Sequence, residues 1–220
     1  MLKLVIANKA YSSWSLRGWL AVRQSGLPFE EVVVPMYDDD WAVRRTQPDL
    51  AASAGKVPIL WDGDTPVWES LAIIDHLADR VGRDVFWPTD VAARAFARSI
   101  AAEMHAGFVD LRRACPTNFR QRYAREPLDP AVEANVDRIT ALWGQALDRF
   151  GGGGDFLFGE FGAPDIMFAP VVSRFDTYAI PLPDFAAHYC ARMLNHPWMR
   201  DWYAGAAAEP WTIAAYERDQ

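Results

Sequence analysis

A chain of 220 residues, 51% hydrophobic and 23% charged, carries enough apolar material for one large or two small domains with a sizeable core. Its net charge of −7 excludes the basic footprint of a nucleic-acid surface, while leaving an anionic ligand open, since local donors decide that. The two cysteines, Cys115 and Cys190, and the four histidines, His76, His105, His188 and His196, show no metal or redox spacing. No metal is therefore expected, and free thiols fit a reducing, cytoplasmic compartment.

Apolar residues near Met1 run only from Leu4 to Ala7, too short for a signal or membrane segment, so no membrane partner is expected. Leu2 to Ala7 reads as a buried strand and Asn8 to Ser13 as a polar loop. From Ser15 the spacing of Leu16, Trp19, Leu20 and Val22 predicts a helix, with Gly26 as its stop. Phe29 to Val34 is a second strand, rich in β-branched residues. Residues 38–54 are charged, with a short helix expected over 41–46.

The stretch from Gly55 to Ser70 organises the rest. Val57-Pro58-Ile59-Leu60 leads into an Asp62-Gly63 turn, and Thr65 to Trp68 returns, which predicts a β-hairpin. Pro58 cannot donate to a ladder, so it marks a strand with a free edge at its start. A cis bond there would turn the Val57 amide and carbonyl outward, toward an extended peptide. Glu69-Ser70 then opens a helix over 69–81. Ser70 at its N-terminus suits a carboxylate, and Glu69 suits an amine. Strand edge, carboxylate trap and amine acceptor together suit a short peptide with a free amino-acid end.

Residues 82–90 read as a linker. Beyond it the strand signal fades. Helices are expected over 91–114, 130–150, 163–178, 184–194 and 197–204, with Gly151 to Gly154 as a break. The second half is therefore all-helical.

Val57-Pro58 followed by Glu69-Ser70-Leu71-Ala72-Ile73-Ile74 resembles the glutathione site of the cytosolic glutathione transferases. The resemblance implies an α/β plus all-α fold. A thioredoxin-like domain of order βαβ-α-ββα spans 1–81, a linker 82–90, and an all-helical domain 91–220. It implies glutathione as co-substrate, held by Ser12, Lys56, Val57, Pro58, Glu69 and Ser70, with a small electrophile as its partner in reaction. It also implies a homodimer.

The loop Tyr11-Ser12-Ser13-Trp14-Ser15-Leu16-Arg17 is similar to the Ser-Ser-Cys-Ser motif of the zeta class, which includes maleylacetoacetate isomerases. On this resemblance Ser12 takes the place of the thiol-activating serine and Ser13 its neighbour, with Tyr11 and Ser13 as alternatives. Trp14 replaces the motif's cysteine. Glu103-Met104-His105 resembles the Glu-Leu-His motif of the beta class, whose histidine faces the glutathione sulfur, so His105 joins Ser12 and Ser13 as a catalytic candidate. The zeta-class substrate arginine would align with Thr177. Where the family caps a buried helix with Ser or Thr before Asp165, this chain has Gly162, an incomplete capping box.

Activation has a stated size. A free thiol has a pKa of roughly 8.5, and lowering it by about two units takes roughly 2.7 kcal/mol of differential stabilisation. One hydroxyl donor and a helix N-terminus supply that order. Arg17, Arg44 and Arg45 are candidates for the glycine carboxylate, and Arg112, Arg113 and Arg174 for a second substrate. Three functions follow: conjugation of glutathione to small electrophiles, zeta-like cis–trans isomerisation, or a non-catalytic glutathione-binding module.

Overall fold

The computed structural model describes residues 1–218. Four strands, β1 (Leu2–Ala7), β2 (Phe29–Val34), β3 (Ile59–Asp62) and β4 (Thr65–Trp68), form one mixed sheet of order β2-β1-β3-β4. β1 runs parallel to β2, while β3 and β4 are antiparallel. The period of two sorts the side chains. Leu4, Ile6 and Leu60 face the main core, whereas Val5, Val34 and Ile59 form a smaller cluster with Leu50 on the other face. Pro66 lies on the edge strand β4, where a missing N–H interrupts no further pairing.

Helices α1 (Ser13–Ser25) and α4 (Ser70–Val81) cover the main face. Gly26 ends α1 in the left-handed conformation at φ 67°, as its position predicts. The charged stretch holds two short helices rather than one, α2 (Trp41–Arg44) and α3 (Pro48–Ala51). Trp41 and Leu50 from these seal the smaller cluster.

After a short 3-10 turn at Arg83–Val85, the chain is helical: α5 (Val91–Ala106), α6 (Val109–Ala114), α7 (Pro130–Phe150), α8 (Ala163–Thr177), α9 (Asp184–Asn195) and α10 (Pro197–Ala208). One expectation is corrected. The helix expected over 91–114 breaks at Gly107-Phe108, where Phe108 takes φ 61°. Arg112 stabilises the break by donating to the carbonyls of Gly107 and Met104, which the ended helix leaves free.

Helix α8 is buried along most of its length and packs on α1, α5 and α9. Its start explains Gly162. A Cβ there would lie 2.9 Å from the Phe86 carbonyl oxygen, and the next residue, Ala163, donates to that same oxygen at 2.8 Å. The chain crosses too closely for the side chain a Ser or Thr cap would bring. Asp165 supplies the carboxylate half of the box, accepting from the Gly162 N–H at 3.0 Å.

Candidate functional site

The turn from β1 into α1 is tied by the Asn8 carbonyl, which accepts from the N–H groups of Tyr11 (3.2 Å) and Ser12 (3.0 Å). Ser12 caps α1. Its hydroxyl accepts from the Ser15 N–H at 3.2 Å and lies 2.8 Å from the Ser15 hydroxyl, which accepts from the Ala7 N–H at 2.9 Å. This chain of polar groups starts in the sheet and ends at the cleft. Ser13 opens α1, and its hydroxyl lies 3.5 Å from Nη2 of Arg174. The Tyr11 hydroxyl is committed elsewhere: it donates to the Glu217 carboxylate, and burial together with this bond raises its pKa.

Across the cleft, Val57-Pro58 is a cis peptide. Glu69 sits at φ 69° just ahead of α4, and Ser70 is its first residue. The Ser70 hydroxyl is buried, and its hydrogen-bond partner among the described residues is the Met167 sulfur at 3.7 Å. A thioether is a weak acceptor, so that hydroxyl and the free N–H groups at the start of α4 remain available to an anion. The Glu69 carboxylate is half exposed and lies 3.4 Å from Nε2 of His105. Lys56 and Arg45 stand on the rim.

The helical wall is built differently. The guanidinium carbons of Arg17 and Arg112 lie 4.7 and 4.9 Å from the ring centre of Trp14, and His105 meets the same ring edge-on at 5.3 Å. Desolvation pulls the pKa of all three groups down. On His105 the Glu69 carboxylate works against that desolvation, while the positive charges of Arg17 and Arg112 lower its pKa further. Arg174 on α8 is lowered to about 10 by burial and by Arg112.

These elements enclose a cleft of about 560 Å³. Of the expected residues, Ser12, Ser13, Lys56, Val57, Pro58, Glu69 and Ser70 all line it. His105 does not; it reaches the cleft through Glu69 and Trp14. Arg17 is fully buried and donates to the Met167 carbonyl at 2.9 Å. Arg44 forms a two-pronged pair with Asp49, both bonds 2.7 Å. Neither lines the cleft, and of the three arginines proposed for a glycine carboxylate only Arg45 does. Thr177 is buried, its hydroxyl donating to the Asn118 carbonyl at 3.1 Å. The cleft also takes Tyr37, Trp41 and Tyr216, which no motif marks; Tyr216 arrives on the C-terminal segment and stacks on Tyr11.

Among the described residues no cluster of His, Cys, Asp or Glu is placed to hold a metal, and no helix is long and apolar enough to cross a membrane.

Comparison with known proteins agrees with this architecture. A glutathione transferase homolog from Burkholderia GL BGR1, solved with bound glutathione, superposes with a TM-score of 0.70 at 18% identity, covering 94% of this chain and 99% of the other. The Tau class glutathione S-transferase of mango, Mangifera indica, gives 0.66 at 20% identity over 94% and 96%. A glutathione S-transferase from Xylella fastidiosa gives 0.64 at 18% over 94% and 99%. At these identities the likeness shows the fold. No curated protein sequence matches the chain. The sequence models for the N-terminal and C-terminal domains of glutathione S-transferase match residues 11–80 and 129–205, and with the shared thioredoxin-like plus all-helical fold they place this chain in the glutathione S-transferase family.

Proposed function

We propose that the protein is a glutathione transferase that joins the glutathione thiolate to small electrophiles. One observation carries this reading: Ser12 and Ser13, Val57-Pro58 and Glu69-Ser70, far apart in sequence, line one cleft. The Val57 backbone pairs with the cysteinyl part of the peptide. Ser70 and the α4 N-terminus take the γ-glutamyl carboxylate, and Glu69 takes its amine. The sulfur then lies at the α1 N-terminus. There a hydroxyl from Ser12, or from its neighbour Ser13, and the helix dipole favour the thiolate.

Loss of the thiol proton leaves a nucleophile held against the second substrate, so proximity supplies the rest of the acceleration. His105 acts as a positioning residue: at 3.4 Å it orients the Glu69 carboxylate. Burial holds its pKa below the ordinary value, so at neutral pH it serves as imidazole rather than as a cation. The reading includes a cytoplasmic homodimer, with exposed Trp68 and Val91 as apolar surface for the contact.

The Ser12-Ser13 pair also favours a zeta-like isomerase, in which glutathione adds to a cis double bond and leaves after rotation. The buried Thr177 at the substrate-arginine position counts against it. The test is glutathione calorimetry with an electrophile panel that includes 1-chloro-2,4-dinitrobenzene and maleylacetone. Conjugation supports the transferase. Isomerisation of maleylacetone alone moves the assignment to the isomerase, and glutathione binding with neither activity moves it to a binding module.

A further inference from the structure

Glu69 is the only acid lining the cleft among the described residues, while Arg45, Lys56, Arg112 and Arg174 are its bases. The two on the helical wall have no carboxylate partner there. Arg174 is 5% exposed, and its described partners are the carbonyls of Cys115 and Pro170 and the Ser13 hydroxyl. Those bonds use three of its five N–H groups. Arg112 spends Nε and Nη2 on the carbonyls that end α5 and leaves Nη1 uncommitted among the described residues. Thr117, 5% exposed and lining the same cleft, has a buried hydroxyl with no partner among the described residues. Arg17 adds charge from behind Trp14, its two Nη atoms buried and equally without a described partner.

Dry, uncompensated positive charge is costly unless an anion meets it. We propose that Arg112, Arg174 and Thr117 form a subsite for a small carboxylate, and that the second substrate is an electrophile bearing one. Two guanidinium edges and one hydroxyl match the lone pairs of a carboxylate. Arg174 touches Ser13, so the bound acid lies next to the sulfur position, and the reacting carbon must be close to its own carboxylate. The substrate role rests on the transferase reading; the binding of the anion does not.

The test uses 3-nitrobenzoate and its methyl ester, titrated into the full chain with and without saturating S-methylglutathione. The acid should bind about tenfold or more tightly than the ester, the size of one charged hydrogen bond. Arg174→Gln and the milder Thr117→Val should each shrink that preference. In turnover, glutathione sulfur displaces chloride from 2-chloro-5-nitrobenzoate, whose reacting carbon neighbours the carboxylate-bearing carbon, forming the C–S bond as chloride leaves and the thiol proton goes to solvent. The acid should again outrun its methyl ester once uncatalysed rates are divided out. Equal binding of acid and ester overturns the proposal, as does displacement of 3-nitrobenzoate by S-methylglutathione, which would assign these arginines to glutathione's own carboxylates. If S-methylglutathione fails to bind while the acid still outbinds the ester, the anion subsite stands and the transferase reading falls.

Discussion

The two ends of helix α8 bury opposite charges in opposite ways. At its start, the Asp165 carboxylate accepts from the N–H groups of Leu157 (3.2 Å) and Gly162 (3.0 Å) and from the Tyr189 hydroxyl (2.9 Å). Toward its end, Arg174 meets only carbonyls and a hydroxyl, beside two other arginines. Each charge sits at the end of the helix its dipole favours. The first group is closed on itself and holds the fold. The second opens onto the cleft with donors to spare. Buried polarity is thus structural where each charged atom finds its partner inside the chain, and a candidate for ligand recognition where donors are left over.

The largest effect separating the two ends is expected from Asp165→Ala. It strands three donors at about 1–3 kcal/mol each, so urea unfolding should show a loss of about 3 kcal/mol or more. Arg174→Met removes an uncompensated charge as well as its bonds, and should cost clearly less. The two ends also differ with pH. Burial raises the Asp165 carboxyl to about 6, against roughly 3.9 unfolded. Its contribution is therefore complete below about pH 4 and is lost as pH rises through about 6. Asp165→Asn should remove that slope from a stability–pH series.

Next in size, Glu69→Ala should weaken glutathione binding by roughly ten- to a hundred-fold, because the ligand's amine loses a charged partner. Glu69 is half exposed, so stability should change by no more than about 0.5 kcal/mol. Calorimetry and urea unfolding on the same variant check both halves.

Completing the sequence pattern at α8 should fail. Gly162→Ser places a Cβ 2.9 Å from the Phe86 carbonyl, so it should destabilise by about 1–2 kcal/mol rather than stabilise, read as a lowered melting temperature. Ser12→Ala should lose about 1 kcal/mol of stability with its cap, and Ser13→Ala, which leaves the cap intact, should not.

Much of the sheet domain was legible because its signals are local. An apolar run marks β1, β-branched residues mark β2, the Asp62-Gly63 turn marks the hairpin, and Gly26 marks the end of α1. The break at Gly107 was not legible, because the Ala- and Arg-rich pattern runs through it and Arg112 decides it by reaching back over the turn. The sheet side of the site could be read from contiguous motifs. The helical wall was legible only in part: Arg112 and Arg174 were candidates and line the cleft, Arg113 does not, and nothing marked Trp14 or Thr117 as their companions, since the four meet only after α8 is buried against α1. A charged residue within a helical pattern reads as solvated or ligand-facing. Nothing near Arg17 in sequence says that Trp14 and the Met167 carbonyl enclose it.

The account turns on an activated thiol, and the absorbance of bound thiolate against pH reads that directly. Glutathione in the wild-type complex should titrate clearly below its free value of roughly 8.5, and Ser12→Ala or Ser13→Ala should move the midpoint back up. The variant that moves it names the hydroxyl at sulfur. Bound glutathione that titrates as it does free in solution, in wild type and both variants alike, would contradict the transferase assignment.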